Sequence, residues 1–191
     1  MPKDLQIIQE LKNRFKIVFK LDESNNKVIK VDIFKKSVQN KDLFLISQLT
    51  SLNSIFLEYN EISNTKGLDS LTNLKVLNLQ GNQITQIEGL NKLTGLKRLY
   101  LGNNRISEIK SLSKLVNLEV LYLGNNRITK TEGLNKLTNL QKLWLHNNDI
   151  TKIEGLESLV NLNKIYLDYK QISRIQNLDE LKNKAEIITI M

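Results

Sequence analysis

The sequence predicts an α/β solenoid, a curved stack of short repeats in which each repeat gives one strand to a concave parallel sheet of about eight strands. Three observations carry that expectation. A 22-residue pattern returns six times in register, every copy holds an apolar-x-apolar alternation, and asparagine stands at one fixed place in five of the six.

The elements follow in chain order. Leu5, Ile8, Leu11 and Phe15 recur at helical spacing, which predicts an amphipathic helix over about Lys3 to Arg14. Phe15, Ile17, Phe19 and Leu21 then alternate as in a strand, and Asp22 to Asn26 form a turn cluster. Val31 and Ile33 are the alternating pair of a first, irregular repeat. The expected organisation is one structural domain. Residues 1–27 cap the stack with a helix and an antiparallel strand, 28–48 form the irregular repeat, 49–178 the regular repeats, and 179–191 a terminal strand. The end of a solenoid exposes apolar surface, so the first helix is expected to cover it rather than to bind a membrane.

Within the array, Leu71, Leu74, Leu77, Leu79, Asn82, Ile84, Ile87 and Leu90 return at every twenty-second position from Leu49 to Leu178. The alternating leucines place both side chains of a short strand inward. The asparagine falls where the chain must turn away, and its amide can serve backbone groups that no strand partner reaches. Asn60, Asn82, Asn104, Asn126 and Asn148 are therefore expected to stack as a ladder, with Lys170 replacing the sixth rung. Gly67, Gly89, Gly133 and Gly155 precede the last leucine of their copies, where Ser111 and Asn177 stand in the other two. At the end, Ala185, Ile188 and Ile190 fit the pattern if one residue is inserted, giving an eighth parallel strand. Its apolar edge at Met191 is frayed, or pairs with a second copy, or marks a fragment, so a monomer and an edge-paired dimer both stand.

This pattern, LxxLxLxxNxIxxIxxL from Leu49 to Leu178, resembles the 22-residue leucine-rich repeats of the regulatory subunit of type-1 protein phosphatase and, more distantly, those of bacterial internalins. The resemblance implies a right-handed horseshoe, with short 3₁₀ or extended segments on the convex side. It also implies protein binding.

Composition narrows the function further. The chain has 191 residues, 40% hydrophobic and 25% charged, as in a soluble globular protein. It has no cysteine, which removes disulfides, thiolate metal sites and a cysteine nucleophile. Charges break every apolar stretch of the N-terminus, and no window approaches a membrane span, so a cytoplasmic location is expected. The net charge of +8 suits an acidic partner or nucleic acid. His146 is the single histidine, and Asp168 follows it one repeat later in the same column, close enough for a hydrogen bond. No serine or cysteine nucleophile adjoins them, no carboxylate cluster accompanies a metal-ligand set, and no Gly-rich phosphate loop is present. The chain is expected to be no enzyme and to hold no cofactor or metal.

The neighbours of the inward leucines face the concave solvent side. The middle column reads Asp32, Phe56, Asn78, Tyr100, Tyr122, Trp144, Tyr166; the column before it includes Lys30, Arg98, Lys142 and Lys164; the column after it includes Phe34, Glu58, Gly102, Gly124, His146 and Asp168. With strands about 4.8 Å apart, Tyr100 to Tyr166 would make an exposed aromatic ridge of roughly 14 Å. Tyr, Trp and Arg anchor protein interfaces. The candidate contact residues are therefore Phe56, Arg98, Tyr100, Tyr122, Lys142, Trp144, His146, Lys164, Tyr166 and Asp168; Gly102 and Gly124 leave shallow space where a partner side chain could dock or, equally, are small residues tolerated in a strand-exit turn. Side-by-side rings also stabilise a sheet by cross-strand contact, an alternative reason for the same column. The expected function is a protein–protein interaction scaffold or regulatory adaptor whose partner presents acidic groups. The alternative is single-stranded nucleic acid or a ribonucleoprotein held by stacking and basic side chains.

Overall fold

The computed structural model describes residues 3–190. They form a right-handed horseshoe solenoid around one nine-stranded sheet whose spatial order is the chain order. Helix α1 (Lys3–Arg14) is followed by β1 (Val18–Leu21), which pairs antiparallel with β2 (Val28–Asp32). Helix α2 (Asn40–Ile46) precedes the strands β3 (Ser54–Phe56), β4 (Val76–Asn78), β5 (Arg98–Tyr100), β6 (Val120–Tyr122), β7 (Lys142–Trp144) and β8 (Lys164–Asp168). After β8 come α3 (Tyr169–Ile172), α4 (Leu178–Lys184) and β9 (Glu186–Ile190). From β2 to β9 every pairing is parallel, giving the eight parallel strands that the repeat predicts, with β1 added as the antiparallel edge of the cap.

Register follows the repeat. Ile55, Leu77, Leu99, Leu121, Leu143 and Ile165 stand opposite one another along the sheet and are wholly buried. Their apolar partners from the return segments complete one continuous core running the length of the stack. Each return segment is pinned by successive three-residue turns, such as Leu71 N–H to the Leu68 carbonyl and Leu74 N–H to the Leu71 carbonyl. That is the 3₁₀ bonding pattern in single turns, short enough to fit a 22-residue loop.

The asparagine side chains close the strand exits. Asn104 Nδ2 donates to the carbonyls of Leu79 and Leu101, both at 3.0 Å, while its Oδ1 accepts from Ile84 N–H at 2.9 Å. Asn82, Asn126 and Asn148 repeat this arrangement, and Asn60 serves Ile33, Lys36 and Val38 at the irregular first repeat. Each rung thus ties its own repeat to the one before it. Where Lys170 replaces the sixth asparagine, Gln171 turns inward instead and donates to the Leu145 carbonyl at 2.8 Å. Gln171 reaches that place because Asp168 starts α3 with a reciprocal capping box.

Two ends depart from the sequence expectation. Helices α2, α3 and α4 were not signalled by the repeat, because their apolar spacing also satisfies the array pattern. At the C-terminus no residue is inserted: Ile187, not Ile188, stands opposite Ile165, and Ile188 lies beside Tyr166. The strict 22-residue step prevails because parallel pairing over five residues outweighs placing Ile188 and Ile190 inward. At the other end α1 packs Ile7, Ile8 and Leu11 on the stack, Asp4 accepts from Val28 N–H, and Arg14 pairs with the buried Asp42 of α2.

Candidate protein-interaction face

The middle positions of the strands form one row across the concave sheet: Asp32, Phe56, Asn78, Tyr100, Tyr122, Trp144, Tyr166 and Ile188. Period-two alternation puts them there, and parallel register aligns them. Trp144 and Tyr166 stack face to face, with centroids 4.1 Å apart and planes 4° off parallel. Tyr122 leans on Trp144 at 5.6 Å and 30°. The continuous ridge is therefore Tyr122–Trp144–Tyr166. Tyr100 stands on the next strand outside that stack, which shortens the ridge expected from the sequence. The four rings are half-buried rather than exposed, and within the stack each shields its neighbour.

Tyr122 is drawn aside by Gly102. A Cβ on Gly102 would stand 2.5 Å from Tyr122 Cδ1, so the ring occupies the place a side chain would fill. His146 covers Gly124 in the same way. The two glycines thus leave no open docking space, contrary to the sequence expectation: the protein's own rings use it.

His146 is 5% exposed and lies edge-on to Tyr122, whose hydroxyl is 3.2 Å from Nε2. Its Nδ1 has no hydrogen-bond partner. Burial lowers its pKa, and the charge of Asp168 opposes that only in part. The expected His146–Asp168 hydrogen bond is not formed, because the carboxylate is already engaged: it accepts from Asn147 N–H at 2.6 Å and Gln171 N–H at 3.0 Å. Burial resists ionisation of Asp168, but these backbone donors outweigh it and hold its pKa below the usual value. Asp168 caps α3, and His146 supports Tyr122.

Of the basic candidates, Arg98 is exposed and Lys142 half-buried, and neither makes a salt bridge among the described residues. Lys164 faces Glu186 at 3.6 Å. Phe56 lies two strands beyond Tyr100, with the Lys30 ammonium 4.6 Å above its ring. Near it the structure shows a cluster that the sequence reading passed over. Phe34 and Tyr59 meet edge to face at 5.4 Å, each about half exposed, on the strand exits that flank Glu58. The signal was Tyr59 itself, a bulky residue in a strand-exit column that holds Gly81, Asn103, Asn125 and Asn147 in the next four repeats.

Among the described residues no group of His, Cys, Asp and Glu could hold a metal ion, and no helix is long and apolar enough to cross a membrane. The fold and this face define a class: a repeat solenoid whose ordered side-chain rows lie on a concave parallel sheet. The family model for leucine-rich repeats in tandem copies matches residues 50–92, 72–114, 94–136 and 138–183, more than half of the sequence. The chain belongs to the leucine-rich-repeat family. No curated protein matches it significantly. Among solved structures it is similar to internalin C2 of Listeria monocytogenes, at 25% identity and TM-score 0.59 over 85% of this chain and 81% of that one. It is similar to a leucine-rich-repeat protein of Leptospira interrogans at 33% identity and TM-score 0.67, over 75% of this chain and 38% of that one. A third, the internalin InlF of Listeria monocytogenes, matches at 28% identity and TM-score 0.55, over 80% of this chain and 51% of that one. The chain thus spans most of internalin C2 but well under two thirds of the other two. The likeness to internalins is shown; the likeness to the phosphatase regulatory subunit rests on the repeat alone.

Proposed function

We propose that this protein is an interaction scaffold or regulatory adaptor that binds a partner protein through the ridge Tyr122–Trp144–Tyr166, with Arg98, Lys142 and Lys164 selecting acidic groups on that partner. The observation that carries the reading is the stack itself. Its rings are locked by one another, so they offer large contact area with little entropy left to lose on binding. Phe56, Tyr100, His146 and Asp168 join this reading in different roles: the first two as further contacts, His146 and Asp168 as supports beneath and beside the ridge.

The stack also argues against the nucleic-acid reading. A base stacks on a free ring face, and Trp144 and Tyr166 have spent their facing surfaces on each other at 4.1 Å. What they present outward is their edges, which suit side chains better than bases. A cytoplasmic compartment is part of the same reading.

The test is affinity capture from the source lysate at moderate salt, with a Tyr122→Ala/Trp144→Ala variant and a convex-face control, Val160→Ser, run alongside. Loss of a specific protein with the ridge variant, and its retention with the control, supports the proposal. Equal capture by all three places the partner elsewhere. Retention of nucleic acid alone, with a steep loss on added salt, favours the rival.

A further inference from the structure

The concave face at the exits of β2 and β3 carries a half-buried carboxylate, Glu58, with no salt-bridge partner among the described residues. Glu58 sits in the row above Phe56 and next to Phe34, because Lys35 N–H bonds the Glu58 carbonyl and fixes the strand exits side by side. Asn78 Nδ2 donates to Glu58 Oε1 at 2.6 Å, and among the described residues no lysine or arginine forms a salt bridge with the carboxylate. Burial, with Asp32 nearby, raises the Glu58 pKa above the usual value, and its own backbone N–H, Lys30 and Asn78 offset this only in part. Lys30 holds its ammonium over Phe56 instead.

Tyr59 follows Glu58 in the chain, and Phe34 stands beside it on the neighbouring strand exit. Phe34 is 50% exposed and Tyr59 47%, although each packs on the other and Tyr59 also covers Gly81. Tyr59 holds that pose at φ 54°, a left-handed conformation that costs a bulky residue free energy. The next four strand exits relieve that cost with Gly81, Asn103, Asn125 and Asn147. An exposed aromatic pair beside an under-compensated acid has the composition of a site for an organic cation. The Lys30–Phe56 contact shows the same attraction within the molecule.

We propose that Phe34, Tyr59 and Glu58 receive a basic side chain, a guanidinium or ammonium, from the partner segment that docks on the concave sheet. This rests on the protein-partner reading and gives the bound segment a direction. Its cation lies at β2–β3, and the groups that meet Trp144 lie four strand spacings away, roughly 19 Å along the sheet.

The experiment titrates the labelled full chain by NMR with an acetylated, amidated Gly-Gly-Arg-Gly-Gly peptide and with its citrulline twin, which keeps the shape and removes the charge. The arginine peptide is expected to move the ring signals of Phe34 and Tyr59 and to lower the Glu58 pKa. The citrulline peptide, and the arginine peptide on Glu58→Gln, should bind about fivefold more weakly, the size of one partly exposed charge contact. Glu58→Gln keeps an acceptor for Asn78, and Phe34→Ala provides a second variant that leaves the carboxylate in place and should also weaken binding. Equal binding of the two peptides overturns the proposal, as does an unchanged affinity in both variants or shifts spread over the convex-face acids. The Tyr122→Ala/Trp144→Ala protein should bind the arginine peptide normally, so failure of the corner and failure of the ridge are read separately.

Discussion

The ring of Tyr122 lies over the backbone of Gly102, in the space a side chain there would take. This contact sets the tilt that brings Tyr122 against Trp144 on one side and His146 on the other. Gly102 shows no left-handed φ, so alanine fits its backbone and the only conflict is with the ring. Gly102→Ala is expected to destabilise the protein by about 1–2 kcal/mol, the usual cost of overpacking. It should also change the Trp144 fluorescence as Tyr122 moves. A denaturant titration followed by tryptophan emission checks both, and an unchanged emission spectrum would show that the ring does not depend on the glycine.

The repeat fold was legible because its signals are redundant: every inward leucine is repeated at the same phase, and a slip by one residue would turn a whole column outward. The ladder was legible for a similar reason, since one residue type recurs where backbone groups lack partners. What escaped was set by contacts between neighbouring columns. Nothing in the positions of Gly102 and Gly124 says that a ring from the next repeat lies over them. Gln171 replaces the missing rung only because α3 begins one residue earlier, at a cap formed by Asp168. A second ladder on the convex side was also passed over. Asn73, Asn117, Asn139 and Asn161 each donate to a carbonyl 23 residues back, such as Asn117 Nδ2 to Thr94 at 2.9 Å. The Thr-Asn-Leu or Val-Asn-Leu that precedes β4, β6, β7 and β8 was its visible signal.

The two ladders should differ in what they contribute. Asn104 is half-buried and bonds four backbone groups of four different residues, whereas Asn117 makes one exposed bond. Asn104→Ala leaves those groups short of partners and is expected to cost about 2–4 kcal/mol. Asn117→Ala should cost less than about 1 kcal/mol, because water replaces its bond. Paired denaturation midpoints decide the point, and equal losses would refute the distinction.

Ser111 occupies the return-turn position that Gly67, Gly89, Gly133 and Gly155 fill elsewhere, and it is held at φ 62°. A side chain in that region costs roughly 1–2 kcal/mol, partly offset by the extra entropy glycine brings to the unfolded chain. Ser111→Gly is therefore expected to raise stability by about 0.5–1 kcal/mol, seen as a higher melting temperature. A lower one would mean that the hydroxyl makes a contact worth more than the strain.

His146 gives the protein a pH dependence that can be assigned to one residue, since the chain has no other histidine. Its folded pKa is lowered, by burial first, so the unfolded chain takes up the proton before the folded one does. Stability contributed by the neutral ring is then fully present above the unfolded value of about 6.5 and falls as the pH drops below it. Protonation would also charge an Nδ1 that has no acceptor in the fold. The melting temperature is thus expected to decline from pH 7 to pH 5. In His146→Gln that decline should shrink to the part left by carboxylates such as Asp168, whose lowered pKa moves its own loss to more acid conditions. Because the ring supports Tyr122, the same acid interval should loosen the Tyr122–Trp144 contact and shift the tryptophan emission before the chain unfolds. If wild type and variant show the same slope between pH 7 and pH 5, the histidine is not the group that titrates.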